Sequence, residues 1–223
     1  MLEHTWQRSR LMTNQIECVI ATDSDDISKT AEKFGAKVIK TKGSHPNGLS
    51  RAKEALGNLD WDYVLILQAD EILVVPTDLD NLTKKITGKY DFYNLITKIE
   101  NTIELENANV VKCILRQDHT ILSIFRKNGF ISKKEKQLKF VKKICGTFAI
   151  SRKLLLSIDL INPSLIGLQE SIEQLSILEN NIEILAVEIE NHFISVNTEE
   201  EAAQAEDILI NNEIQKNLHS KYK

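Results

Sequence analysis

The run Tyr63-Val64-Leu65-Ile66-Leu67 is apolar throughout and stops at Gln68-Ala69-Asp70-Glu71. A buried strand ending this way leaves Asp70 at the carboxyl edge of a sheet, where a carboxylate can hold Mg²⁺ on a nucleotide. The same acids would equally serve to cap or solvate a turn. A second cluster, His45-Pro46-Asn47-Gly48-Leu49-Ser50-Arg51, reads as a turn and a helix start. Backbone N–H groups there could receive a phosphate or a base edge, with Arg51 adding charge. An ordinary loop with an N-cap would use the same residue types. The third cluster, Ala21-Thr22-Asp23, closes another short apolar run. No Gly-rich phosphate loop and no nucleophile elbow occurs. His4, His119, His192 and His219 lack metal-ligand spacing and read as structural or surface residues.

These clusters need a scaffold that brings strand ends together. Leu2, Thr5, Trp6, Ser9 and Met12 have helical spacing, so the chain opens in a helix. Residues 16–21 form a short strand, and the acids after Thr22 start a helix that Gly35 ends. Residues 37–40 are a second strand, 44–49 a loop, 50–56 a helix and 63–67 the third strand. That order predicts a sheet with parallel strands and right-handed crossovers, and its ligands gather beyond the carboxyl ends. Further on, residues 90–98, 109–115 and 120–125 read as strands, with a hairpin turn at Gln117-Asp118. The basic stretch 127–143 reads as a mobile loop. A helix over 168–180, a strand over 182–189 and a charged helix over 198–218 complete the chain. The expectation is a single α/β domain over 1–223, with a mixed, mainly parallel central sheet, helices on both faces and a peripheral hairpin region at 90–145.

The 223 residues are 42% hydrophobic and 27% charged, enough for a sizeable core without disulfides or metal. A formal net charge of −4 argues against a nucleic-acid-binding surface. Three scattered cysteines close no disulfide framework and form no C-x-x-C pair. No apolar run approaches the ~20 residues that span a bilayer. The composition points to a soluble protein of a reducing compartment, with no membrane and no nucleic acid as partner.

Taken in order, the segments resemble the 3-deoxy-manno-octulosonate cytidylyltransferase (CMP-Kdo synthetase) family. Ala21-Thr22-Asp23 is similar to its V-A-T-D segment, and residues 34–41 to F-G-A-x-V-x-x-T. His45 to Arg51 shares the His, Gly and Arg of H-x-S-G-T-D-R, and residues 64–71 keep the Gln, Asp and Glu of V-x-N-x-Q-G-D-E-P. Asn109 to Lys112 resembles N-V-V-K, and residues 163–175 resemble P-S-P-L-E-x-I-E-x-L-E-Q-L. The L-E-N at 178–180 is shared, and residues 196–200 stand at V-D-T-P-E-D. The resemblance implies a Rossmann-like nucleotidyltransferase fold and a cytoplasmic homodimer serving lipopolysaccharide synthesis. It would join CMP from CTP to an acidic eight-carbon sugar and release pyrophosphate, with Mg²⁺ as cofactor. By position, Ala21, Thr22, Asp23, Asn47, Gly48 and Arg51 would bind nucleotide. Asp70 and Asn197 would hold metal, Gln68 would lie between nucleotide and sugar, and Glu170 and Gln174 would face the sugar.

The departures from the family pattern carry expectations too. Family members begin with a strand and a loop of the type I-P-A-R-x-x-S-x-R-x-P-x-K, before the helix that Met1 to His4 resembles. That strand would sit between those at 16–21 and 63–68, so the expected frame starts upstream of Met1. Asn197 stands at a metal-binding aspartate, Gly167 at a sugar-pocket glutamate, and Ile144 where histidine is common. Ala69 and Ile72 replace the glycine and proline beside Asp70. These changes suit an altered acidic sugar such as an acylneuraminate, or a catalytically weak relative. A non-catalytic homologue that keeps the fold for binding or assembly is the rival class.

Overall fold

The computed structural model describes residues 1–43, 45–127, 133–191 and 194–221. Ser44 of the expected 44–49 loop, residues 128–132 of the basic stretch and His192 lie outside them. The chain divides into two compact units. The first comprises Met1–Asn58, Leu67–Asn81 and Phe193–Lys223, and the second Leu59–Ile66 and Leu82–His192.

The first unit opens with α1 (Leu2–Arg10), β1 (Val19–Thr22), α2 (Asp25–Lys33), β2 (Lys37–Lys40) and α3 (Gly48–Leu56). β1 and β2 pair in parallel, as their crossover helix requires. Ser24 caps α2 by accepting from the Ile27 N–H. Gly35 ends it at φ +78, with the Gly35 and Ala36 amides donating back to Glu32 and Ala31 carbonyls, a Schellman closure. Trp6, Ala31 and Ala36 are the buried centre here, with Ile20, Phe34 and Val38 packed around them. Each large apolar side chain buried this way contributes about 1.5–3 kcal/mol. Helix α4 (Pro76–Lys85) carries the chain into the second unit, and α10 (Glu199–Asn211) and α11 (Glu213–His219) close the first. Ile72, Leu73 and Ala205 form another small core there. Gln215 and Arg8 pin it by donating to the Leu73 and Val74 carbonyls.

The second unit contains β3 (Tyr63–Ile66), β4 (Phe92–Lys98), α5 (Thr102–Glu106), β5 (Lys112–Leu115) and β6 (Ile121–Phe125). It continues with α6 (Lys134–Gln137), β7 (Val141–Ser151), α7 (Arg152–Leu156), α8 (Leu165–Glu170), α9 (Glu173–Glu179) and β8 (Ile184–Glu188). The sheet order is β6-β5-β7-β4-β8, with β3 also on β7. β4 is buried from Phe92 to Thr97, and Phe92 stacks on Phe148 at 4.9 Å.

The α/β class and the mixed sheet are as expected, but the pairing is not mainly parallel. β3 does not extend the β1–β2 pair; it runs antiparallel to β7. Only β1–β2 and β4–β8 are parallel ladders among the described residues. Strand β7, which no local pattern announced, runs antiparallel to β3, β4 and β5. The expected mobile loop at 127–143 therefore contains helix α6 and the start of β7. The helix expected at 168–180 is two helices, broken where Ser171 takes a left-handed φ of 54. The one at 198–218 is likewise α10 and α11, parted at Asn212, which caps α11. No described helix is long and apolar enough to cross a membrane.

Candidate active site

Two of the three sequence clusters meet in the first unit. The Thr41 N–H donates to the Thr22 carbonyl, extending the β1–β2 ladder beyond its strands. Asp23 follows, and Arg51 on α3 spans the two strand ends. Its Nη1 donates to Asp23 Oδ1 and to Thr41 Oγ1, each at 2.8 Å. Much of the Arg51 charge is therefore answered inside the protein, which fixes the loop as much as it offers a cation. A side chain at Gly43 would put its Cβ 3.2 Å from Asp23 Oδ2, so the loop closes tightly over that carboxylate. Asn47 caps α3, its Oδ1 accepting from the Ser50 N–H at 2.9 Å. Gly48 has nothing within 4 Å of where a Cβ would stand, so a ligand can approach the backbone. His45 pairs with Glu54. Ala21 and Thr22 lie on β1 itself, with Thr22 buried.

The third cluster lies just beyond β3. A turn from Gln68 to Glu71 is closed by the Glu71 N–H to the Gln68 carbonyl, and Gln68 is exposed. Thr5 Oγ1 donates to the Ala69 carbonyl. Asp70 is half-buried, and its carbonyl accepts from the Val196 N–H at 3.1 Å, which brings the 196–197 segment beside it. Burial pushes the Asp70 carboxyl up from its ordinary range; its own backbone N–H opposes this, and the Glu201 charge adds to it. Glu201 belongs to the capping box of α10: Thr198 Oγ1 accepts the Glu201 N–H, and Glu201 Oε2 accepts from Asn197 and Thr198. Sequence reasoning missed Glu201, although T-x-x-E at residues 198–201 was its signal. Among the described residues, no hydrogen bond or ion pair joins Asp70 to Arg51.

Asp70 and Asn197 are the side chains here that could hold a hard cation, and their segments meet through the main chain. Asn197 turns Nδ2 toward the Ser195 carbonyl, leaving Oδ1 with no hydrogen bond among the described residues. One carboxylate and one amide oxygen are the kind of sparse oxygen set that binds Mg²⁺ together with phosphates and water.

The remaining candidates stand in the second unit. Gln174 donates to the buried Asn94 at 3.2 Å, and Asn94 in turn donates to the Cys145 carbonyl. Gln174 is thus held in the packing around β4. Glu170 borders a cavity of about 410 Å³ that Arg126 and Lys127 also line. Gly167, expected at the position of a sugar-pocket glutamate, is instead buried where backbone passes too close for any side chain. Ile144 is a buried β7 residue opposite Ile96.

Comparison with known proteins decides the family. A family model described as Cytidylyltransferase matches residues 1–184. The chain belongs to the cytidylyltransferase family. It is 28% identical over 218 residues to 3-deoxy-manno-octulosonate cytidylyltransferase, mitochondrial, of Arabidopsis thaliana, covering 94% of this chain and 74% of that protein. It is 30% identical over 206 residues to the 3-deoxy-manno-octulosonate cytidylyltransferase of Chlorobium limicola, covering 90% and 83%. A solved CMP:2-keto-3-deoxy-manno-octonic acid synthetase complexed with CTP superposes with a TM-score of 0.82 at 22% identity, over 92% of this chain and 88% of the other. A 4-diphosphocytidyl-2C-methyl-D-erythritol synthase of Anaerococcus prevotii superposes at 0.63 and 18% identity, over 94% and 88%. The two likenesses carry the nucleotidyltransferase fold of this cytidylyltransferase-family chain.

Beneath the cavity wall, Lys112 of β5 is fully buried, with its ammonium donating to the Asn107 and Arg126 carbonyls. Burial, then the nearby Arg126 charge, push it down to about 8. Below pH 8 the folded and unfolded chains both hold this proton, and the fold carries the full penalty of the buried charge. Between pH 8 and 10.5 the folded chain releases it first, so this group's contribution to stability rises with pH. Across that window, wild type should gain about 3 kcal/mol relative to Lys112→Met, read from urea unfolding at stepped pH. Parallel pH profiles for the two proteins would show that Lys112 titrates normally.

Proposed function

We propose that this chain is a CTP-dependent nucleotidyltransferase that joins CMP to an acidic eight-carbon sugar, 3-deoxy-manno-octulosonate or a relative. The observation that carries the reading is Asp70, half-buried just past β3, with the 196–197 segment hydrogen-bonded beside it. The sugar's anomeric hydroxyl would attack the α-phosphorus of CTP. One O–P bond forms, the bond to the β-phosphate oxygen breaks, the hydroxyl proton passes to solvent, and pyrophosphate leaves. Asp70 and Asn197 would hold Mg²⁺, which when bound neutralises charge on the phosphate oxygens. Asp23, Arg51 and Thr41 fix the loop whose open neighbours, Asn47 and Gly48, would receive the cytidine with Ala21 and Thr22. The resemblance assigns Gln68 to the substrates, and in the second unit Glu170 would accept sugar hydroxyls, with Gln174 setting that wall. A cytoplasmic homodimer supplying lipopolysaccharide precursors belongs to the same reading.

The test is pyrophosphate release from CTP with 3-deoxy-manno-octulosonate and other acidic sugars, with and without Mg²⁺. Release that needs both sugar and Mg²⁺ is expected. CTP binding without release for any acidic sugar would instead favour a homologue that only binds.

Asn197 gives a graded check. An amide keeps one oxygen ligand but withholds a negative charge from a doubly charged ion. Asn197→Asp should therefore lower the Mg²⁺ concentration for half-maximal release about tenfold, ~1.4 kcal/mol, without changing the sugar accepted. An unchanged Mg²⁺ titration would remove residue 197 from the metal.

A further inference from the structure

The loop that follows β2 is exposed at Lys42, Gly43, Pro46 and Asn47, yet it is tied along its length. Helix α3 makes the ties. Arg51 holds the start of the loop at Thr41, together with Asp23 on the neighbouring strand end. Glu54, on the same helix, reaches further into the loop with both carboxylate oxygens. Its Oε1 accepts the Lys42 N–H at 3.1 Å, and its Oε2 pairs with His45 Nε2. A carboxylate only accepts, so His45 presents Nε2–H to it. The ring of Pro46 fixes its own φ, and Asn47 closes the far end as the cap of α3.

Stability is a poor account of the Glu54 ties. An exposed pair adds little to a fold, because water screens it and two side chains must be held still. Desolvation pushes the Glu54 carboxyl up, but the bonds from His45 and Lys42 outweigh it and keep the group below its ordinary range. The carboxylate is therefore ionised at neutral pH and holds both partners. A loop held in this way keeps its shape without a ligand, and a ligand then binds without the cost of ordering it. The open backbone at Gly48, with nothing within 4 Å of a would-be Cβ, comes just after the His45 tie.

We infer that Glu54 is a positioning residue for the nucleotide: by gripping Lys42 and His45 it presets the loop whose end, Asn47 and Gly48, receives the cytidine. The inference rests on the cytidylyltransferase reading above. It adds a residue outside the set that would touch CTP, one that acts only through the shape of the loop.

The test compares wild type, Glu54→Ala, Glu54→Gln and His45→Ala as whole proteins. CTP binding is read by calorimetry with Mg²⁺ and no sugar, so that no turnover occurs, and pyrophosphate release then gives KM for CTP and kcat. Glu54→Ala removes both ties and should weaken CTP binding and raise its KM about tenfold, with kcat within about twofold of wild type. His45→Ala removes one tie and should fall between. Glu54→Gln keeps an oxygen for the Lys42 N–H and an amide for the other tautomer of His45, so it should recover most of the binding. Melting temperatures should stay close together, while the Lys42 amide exchanges hydrogen faster in Glu54→Ala than in wild type before CTP is added. CTP affinity in Glu54→Ala equal to wild type, a loss confined to kcat, or a Glu54→Gln no better than Glu54→Ala would each overturn the inference. So would a lowered melting temperature with unchanged Lys42 exchange, which marks a residue of stability alone. If Glu54→Ala does not fold, an unchanged CTP affinity in His45→Ala overturns the inference by itself. If wild type binds CTP and the variants match it, only the inference fails; if wild type shows neither CTP binding nor release, the parent reading fails.

Discussion

Asp70→Asn should reduce Mg²⁺-dependent pyrophosphate release at least a thousandfold while leaving the fold as stable as wild type or slightly more so. The two halves of this expectation have one cause. The carboxyl is pushed up first by burial and then by the Glu201 charge, so its ionised form is disfavoured in the folded chain. A group whose folded pKa is raised weakens the fold as pH climbs through that value, and at neutral pH a neutral amide of the same shape relieves the strain. Catalysis runs the other way. In the proposed reaction, the charge that burial makes costly would be the one that neutralises a divalent ion and, through it, a triphosphate. A thousandfold loss corresponds to about 4 kcal/mol of barrier. The measurement pairs pyrophosphate release with thermal unfolding of both proteins. Activity within tenfold of wild type would reduce Asp70 to a turn residue. A lost activity accompanied by a lowered melting temperature would mean that the fold, not the metal, had been hit.

The local signals behind this site were unusually readable because each closes within a few residues. The strand Tyr63–Ile66 announces itself as an apolar run, Ser24 and Gly35 bracket α2, and Asn47 sits at the start of α3 as its cap. Even the meeting of Asp23 with Arg51 follows from placing strand ends side by side. What stayed hidden depends on distant partners. β7 begins in a lysine-rich segment and has Gly146 at its middle, which interrupts the β-prone Ile144, Thr147, Phe148 and Ile150. It is a strand because β3, β4 and β5 all pair with it, and such long-range pairing leaves no period in the sequence. The pairing of β3 escaped for the same reason: its strand was legible but its neighbour was not. Helix α4 was passed over despite Pro76 at its first turn, a recognised start position. The cavity was illegible as well, since its cations come from the end of β6 and its apolar lining from β6, α8 and α9.

Gly167 is where family pattern and geometry part most sharply, and it should be the least tolerant position in the second unit. The resemblance places a sugar-pocket glutamate here, so restoring that residue would be the natural way to recover sugar binding. The elbow between α8 and α9 forbids it. Ile172 folds back so that its N–H donates to the Gly167 carbonyl at 2.9 Å, while the Gly167 N–H donates to Ser164 Oγ at 2.8 Å. A Cβ at 167 would stand 2.8 Å from the Ile172 carbonyl oxygen and 3.0 Å from Ser164 Cβ, and the first of these is backbone that cannot swing away. Gly167→Ala should therefore cost about 2–3 kcal/mol, an overpacking penalty at a site with no room to relax. Gly167→Glu adds a carboxylate to the same buried position and should lose at least about 4 kcal/mol. The elbow carries Glu170 on one side and Leu175 on the other, so opening it also spreads the cavity that both residues line. Chemical denaturation of the three proteins, with sugar titration of whatever remains folded, measures both effects. If Gly167→Glu were as stable as wild type and bound an acidic sugar more tightly, residue 167 would face the cavity after all. The path of the chain from Ser164 to Ile172 would then have to differ from the one described.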